Sequence, residues 1–175
     1  MKYVALLRGI NVGGHRKFPK ANQLELLQNC KLDNPAVYLH TGNWVFESSK
    51  NKAELESLLL KSMEDMLGWN VPILLKSARE INTIISDCPF LEEKKKRSYF
   101  MLPFTKPLEE QVEEINKISF PNEEFHIKHD CIYLYVDLGM SKAKLSNNWF
   151  EKKLKITATA RNYNTMKAIL KLLES

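Results

Sequence analysis

The chain of 175 residues is poor in cysteine, with only Cys30, Cys88 and Cys131, an odd number at wide spacing. That excludes the disulfide framework of a small secreted domain and makes reduced thiols the expectation. No apolar run approaches the roughly 20 residues an α-helical membrane span requires. The first such run, Tyr3-Val4-Ala5-Leu6-Leu7, is bounded by Lys2 and Arg8 and is too short for the core of a secretory signal. A cytoplasmic protein without membrane contact is expected. Paired carboxylates at catalytic spacing and a nucleophile–base pair are also missing, so no enzyme class announces itself. No cofactor is called for.

What is present describes an ordinary globular chain. Hydrophobic residues make up 44%, enough for a substantial core, and the formal charge of +5 with a pI near 9.0 mildly favours acidic partners such as phosphates or nucleic acid. It falls well short of a dedicated polycation.

The apolar run at the N-terminus reads as a buried strand that breaks into a charged, glycine-punctuated loop, Arg8 to Gly14. Pro19 suits a first helical turn, and Leu24, Leu26 and Leu27 give the following helix an apolar face. Asp33-Asn34-Pro35 reads as a turn, Ala36 to Leu39 and Trp44 to Phe46 as strands joined through His40-Thr41-Gly42-Asn43. Asn51 or Ser49 then caps a helix whose apolar positions Leu55, Leu58, Leu59, Met63, Met66 and Leu67 recur at three and four until Gly68. Val71 to Leu75 is a further strand. Strand, helix, strand, strand, helix, strand is the split β-α-β order of ferredoxin-like folds.

Residues 77–86 read as a short helix, and the charge run Glu92 to Arg97 as a solvated boundary loop. Beyond it the pattern begins again, with a strand at Tyr99 to Leu102, a helix after Pro107, and two strands about a His129-Asp130 turn. Ser141 to Leu154 reads as helical, Lys155 to Ala158 as a short last strand, and Tyr163, Met166, Ile169, Leu170 and Leu173 mark a closing helix. The expected division is a first ferredoxin-like subdomain over 1–76, a connecting helix and charged loop over 77–97, and a second ferredoxin-like subdomain with a C-terminal helix over 98–175. Both faces of the first strand are apolar, so its sheet requires cover on both sides.

In this topology the third strand lies between the first and second and antiparallel to both, which brings the exit of strand one beside the start of strand three. Arg8 and Asn11 should therefore share one rim with His40, Thr41 and Asn43, and with Asn70 at the start of the fourth strand. The phase of the last helix extends back to Arg161, with Thr159 as its cap. An arginine in a first helical turn opposes the macrodipole unless it and the free amides hold an anion together. The neighbours Asn162, Tyr163, Asn164 and Thr165 make that entry densely polar.

The opening YVALLRGINVGG, the TGN before Trp44-Val45-Phe46, Pro89-Phe90, Ser141-Lys142 after Gly139, and Thr159-Ala160-Arg161-Asn162 followed by Asn164-Thr165 resemble a bacterial family known as a domain of unknown function, DUF1697. The resemblance spans nearly the whole chain. It implies an α+β fold of two ferredoxin-like α/β plaits and brings no activity. At His15 this chain differs from the lysine common in the family, and at His40-Thr41 from a frequent glutamine-serine pair.

Other motifs carry less. Gly9 to Gly14 has the spacing of a phosphate-binding loop, but His15 and Arg16 stand where Lys and Ser/Thr are required, and the glycines do not fall as a dinucleotide fingerprint. His126, His129 and Cys131 are close in sequence, yet odd separations along strands put side chains on opposite faces, and no metal site is expected. Cys131 opens an apolar strand, where an inert core thiol is commoner than a nucleophile. Met140-Ser141-Lys142 lacks the histidine partner of a synthetase signature. Trp44-Val45-Phe46 has the aromatic content of an RNA-recognition sheet without its basic-glycine-aromatic order. The leading expectation is a small anionic, phosphate-bearing ligand held at the rim by Arg8, Asn11, Asn43, Arg161 and Asn162. The alternatives are a nucleic-acid-binding module using the basic surface, and an enzyme using His40 as acid or base. Oligomeric state is left open.

Overall fold

Five consecutive apolar residues bounded by two cations need burial on both sides, and they form most of strand β1 (Lys2–Leu7) at the interior of a sheet. The structure is a computed structural model that describes residues 1–128 and 130–175, with the side chain of Ser141 excepted. The chain divides into two compact units, Met1–Asn82 with Ala168–Ser175, and Thr83–Lys167.

In the first unit β1 is followed by α1 (Lys20–Asn29), β2 (Asp33–Tyr38), β3 (Asn43–Glu47), α2 (Lys52–Leu67) and β4 (Ile73–Ser77). The strands lie in the order β2-β3-β1-β4 with every neighbouring pair antiparallel. The second unit repeats this with β5 (Tyr99–Pro103), α5 (Glu109–Asn116), β6 (Glu123–Lys128), β7 (Cys131–Val136), α6 (Asn147–Leu154) and β8 (Ala158–Asn162), in the order β6-β7-β5-β8. Both are ferredoxin-like plaits, the α+β class that the element order implied. We label the remaining helices α3 (Ala78–Ser86), α4 (Glu92–Lys96) and α7 (Tyr163–Glu174); the division between units falls within α3 and α7.

Local chemistry explains the helix limits. Asn51 accepts from the Glu54 amide at 3.0 Å while Glu54 accepts from the Asn51 amide at 2.8 Å, a reciprocal cap that starts α2, and Gly68 ends it in a left-handed conformation. Leu55, Leu59 and Met63 recur every four residues and are buried. They pack over Tyr3, Ala5, Leu7, Trp44 and Phe46, together with Leu26 and Leu27 of α1. Trp44 is fully buried, edge-on to Phe18 at 5.9 Å, a setting worth about 3–5 kcal/mol for so large a side chain. It is therefore no base-stacking platform. Val4, Leu6 and Val45 on the opposite face of the sheet are buried as well.

Five expectations are corrected. Arg161 lies in β8, paired opposite Phe100, and α7 begins only at Tyr163. Lys155, in a left-handed conformation, closes α6, so residues 155–157 join a helix to a strand instead of forming one. Only after that closure can the chain pair with β5, from Ala158 to Asn162. Residues 140–154 are a 3-10 turn at Met140–Lys142 and then α6, which Ser146 caps by accepting from the Trp149 amide at 3.2 Å. The run at 92–96 is the short helix α4, acidic at its start and basic at its end as the helix dipole favours. Asp33-Asn34-Pro35, read as a turn, belongs to β2, with a register shift between Asp33 and Ala36.

Candidate functional site: the basic rim of the first sheet

The register fixes which loops meet. Leu6 lies opposite Asn43, Leu7 opposite Ile73 and Tyr38 opposite Asn43, so the segments 8–19, 39–42 and 68–72 all emerge at one rim. Backbone bonds tie them together: Leu7 N–H donates to Gly42 O at 2.9 Å and Arg8 N–H to Pro72 O at 3.0 Å. The turn at Gly42 admits no side chain. A Cβ built there would stand 2.5 Å from Leu7 Cβ and 3.0 Å from Ile10 Cδ1, at φ +82°.

Two of the expected ligand residues are framework here. Asn11 adopts a left-handed backbone conformation, φ +54°, and its carboxamide is spent on main-chain groups. Its Nδ2 donates to Phe18 O at 2.8 Å and His40 O at 2.6 Å, while Oδ1 accepts from the Phe18 amide at 2.8 Å. The side chain thus closes the loop after β1 and fastens it to the β2–β3 turn. Asn43 is fully buried and donates from Nδ2 to Tyr38 O at 2.8 Å and to Thr41 Oγ1 at 3.4 Å, bracing the turn it follows. Gln23 completes this network, although it was not singled out as a candidate. It is fully buried on α1 and bonds Phe18 O at 2.7 Å, His40 O at 3.1 Å and Trp44 Nε1 at 2.7 Å. Its signal was in the sequence: it shares the helical face of Leu26 and Leu27, where a polar residue must find partners.

What the framework presents is positive. The segments 8–20, 38–43 and 68–72 contain Arg8, Arg16, Lys17 and Lys20 with His15 and His40, and no aspartate or glutamate. Arg16, Lys17, Lys20 and both histidines are exposed, and Arg8 is half-buried. A small hairpin, with Asn11 N–H donating to Arg16 O and His15 N–H to Val12 O, both at 3.1 Å, carries Arg16 outward. Its guanidinium carbon lies 5.4 Å from the centre of the Trp69 ring. A methyl group built on Gly9 would stand 3.7 Å from Arg16 Nη1, so the guanidinium runs alongside the backbone next to Arg8. Helix α1 begins behind Pro19 with no side-chain cap and no acidic residue in its first turn. The signal for Arg16, Lys17 and Lys20 was legible too, since the first acidic residue of the chain is Glu25. At His40 the framework bonds go to the carbonyl, and the ring is exposed.

Arg161 and Asn162 belong to the second unit. Arg161 donates to Thr159 Oγ1 and to Ala160 O, both at 2.8 Å, and burial lowers its pKa to about 10. Asn162 accepts from the Thr165 amide at 2.8 Å and is thus the cap of α7, the role assigned in sequence to Thr159.

The other candidates of the second unit are internally satisfied. Lys94 pairs with Glu124 at 2.5 Å and Arg97 with Asp137 at 3.3 Å, and both cations lie over the Tyr135 ring, at 5.2 and 5.5 Å. The hydrogen bond from Lys94, with that from His126, holds the Glu124 carboxyl below its usual range. The charge run is therefore partly neutralised at its own surface. Burial pushes the Cys88 thiol up, which disfavours the thiolate, and Cys131 is buried at the start of β7. Tyr133 donates to Ile84 O at 2.8 Å and burial holds it protonated. Of the His126, His129 and Cys131 set, His129 lies outside the described residues. Among the described residues no group of three or more His, Cys, Asp or Glu could hold a metal ion, and no helix is long and apolar enough to cross a membrane.

Comparison with known proteins bears on the family and the fold. The model of a family described as a protein of unknown function (DUF1697) matches residues 1–133. A solved structure, the conserved bacterial protein SP0830 from Streptococcus pneumoniae, is similar with a TM-score of 0.75 over 99% of this chain and 98% of that one, at 22% identity. That likeness shows the fold. A search of curated proteins gives no match.

Proposed function

Since the chain belongs to the DUF1697 family of proteins of unknown function, membership brings no activity with it, and we propose from the geometry that the protein binds a small anionic, phosphate-bearing ligand at the rim of its first sheet. The observation that carries this is the concentration of Arg16, Lys17 and Lys20, with Arg8, between the end of β1 and the start of α1, at a rim whose three segments contain no aspartate or glutamate, over a framework that Asn11, Gln23 and Asn43 tie together. Arg16, Lys17 and Lys20 are exposed cations close together in the chain; they repel one another, and an anion relieves that repulsion. Arginines add bidentate geometry toward phosphate oxygens. Pre-organisation by the bonded framework lowers the ordering cost of binding. In this reading Arg8 and Arg16 contact the ligand, Asn11 and Asn43 hold the loops, and Arg161 and Asn162 serve the structure of the second unit.

The test is calorimetric titration of the full chain with inorganic phosphate and ribose 5-phosphate at low salt, for the wild type and Arg8→Gln. Saturable binding that weakens by about tenfold or more in the variant, with a melting temperature within about 2 °C of wild type, supports the assignment. Failure of both compounds to bind sinks it. A stability loss on the order of 3–5 kcal/mol in Arg8→Gln would instead make Arg8 a structural ion-pair member.

A further inference from the structure

A basic rim alone would suit any small anion, but one of its cations sits on an indole ring. Arg16 is exposed, its guanidinium carbon is 5.4 Å from the centre of the half-buried Trp69 ring, and the left-handed backbone at Arg16, φ +49°, with the bridged hairpin before it, sets the side chain in that direction. A guanidinium is planar and delocalised, so one that rests on an aromatic ring is a ready platform for another flat, electron-rich group. Purine and pyrimidine bases stack on arginine planes and on aromatic side chains in this manner. The same guanidinium runs beside the Gly9 backbone, next to Arg8, and Lys17 follows it in the chain. Phosphate-seeking groups and a stacking group thus occur within one loop.

We propose that the ligand of the rim is a mononucleotide, its base stacked on the Arg16–Trp69 pair and its phosphate held by Arg8 and Lys17. This rests on the anion-binding reading above and adds the base to it. Trp44 cannot supply the stacking surface, because it is fully buried and bonded to Gln23. The exposed Val12 and Leu39 at the same rim have no π-face to offer. A sugar phosphate would use the charge of the cations and leave the flat face of the Arg16–Trp69 pair unused.

The experiment compares adenosine 5′-monophosphate with ribose 5-phosphate, which carries the same phosphate and lacks the base, by calorimetry on the full chain and on Arg16→Lys. The lysine keeps the charge and loses the plane. The expected result is about tenfold tighter binding of the nucleotide by the wild type, in line with one base–side-chain stack. In Arg16→Lys the ratio of nucleotide to ribose 5-phosphate affinity falls to about threefold or less, and the melting temperature is unchanged. Equal affinities in the wild type overturn the inference and leave the anion reading standing. A preference that survives in Arg16→Lys also overturns it, since the base would then be read elsewhere. Binding of a single-stranded tetranucleotide without any mononucleotide binding overturns it in favour of nucleic acid. If neither small compound binds, both readings fall together.

Discussion

Replacing Asn11 by alanine separates a ligand residue from a framework residue, because the two roles predict opposite outcomes. The substitution removes the acceptor of the Phe18 amide and the donor to Phe18 O and His40 O, three bonds of 2.6 to 2.8 Å. Each intramolecular hydrogen bond is worth about 1 kcal/mol net, and a buried amide left without a partner costs about 1–3 kcal/mol. Gln23 still donates to both carbonyls, at 2.7 and 3.1 Å, so the loss on the acceptor side is softened. Alanine must also hold φ near +54°, which costs it about 1 kcal/mol more than asparagine. The sum is about 2–4 kcal/mol, a large share of the stability of a domain this size. Urea denaturation followed by circular dichroism should show a lower midpoint with an unchanged slope. Asn11→Gly should recover about 1 kcal/mol of the loss, since glycine tolerates the backbone but restores no bond. Asn11→Asp should remain destabilised, because a carboxylate oxygen would face two carbonyls. A change below about 0.5 kcal/mol in Asn11→Ala would refute the clamp and return Asn11 to the candidate ligand residues.

Two further outcomes follow from the same unit. Burial works to raise the Glu80 pKa, but hydrogen bonds from Lys52 at 2.7 Å and from the Ser77 amide and hydroxyl at 2.8 Å prevail and bring it to about 2. A depressed carboxyl contributes stability above its ordinary pKa of about 4.5 and loses it as pH falls toward 2; with the side chain 35% exposed we expect about 1–2 kcal/mol after screening. Glu80→Gln should therefore flatten the acid limb of the stability curve between about pH 4.5 and 2, and an unchanged limb would place that titration elsewhere. Gly42→Ala forces a methyl to 2.5 Å from Leu7 Cβ at φ +82°, and should cost about 2–4 kcal/mol, a drop in melting temperature of about 10 °C by scanning calorimetry. A wild-type melting temperature would mean that the turn rearranges freely.

The order of elements within each plait, the burial of the first strand on both faces and the meeting of three loops at one rim were determined by the sequence. The physical reason is that period-two and period-3.6 patterns with their caps are local, and the ferredoxin-like connection then leaves one antiparallel arrangement for β1, β3 and β4. Asn51 with Glu54, and Gly68, mark the limits of α2 because caps are themselves local chemistry. Three things were decided only by tertiary structure. Arg161 fell to a strand because apolar phase cannot say where pairing with β5 ends and a helix begins. Asn11 and Asn43 turned inward to main-chain groups that lie 7 and 29 residues from Asn11, and 5 from Asn43, and no spacing rule reveals which polar side chains a fold will consume in this way. Arg16 came to rest on Trp69, a partner 53 positions along the chain, for the same reason: contacts between separate loops exist only once the sheet has set their rim.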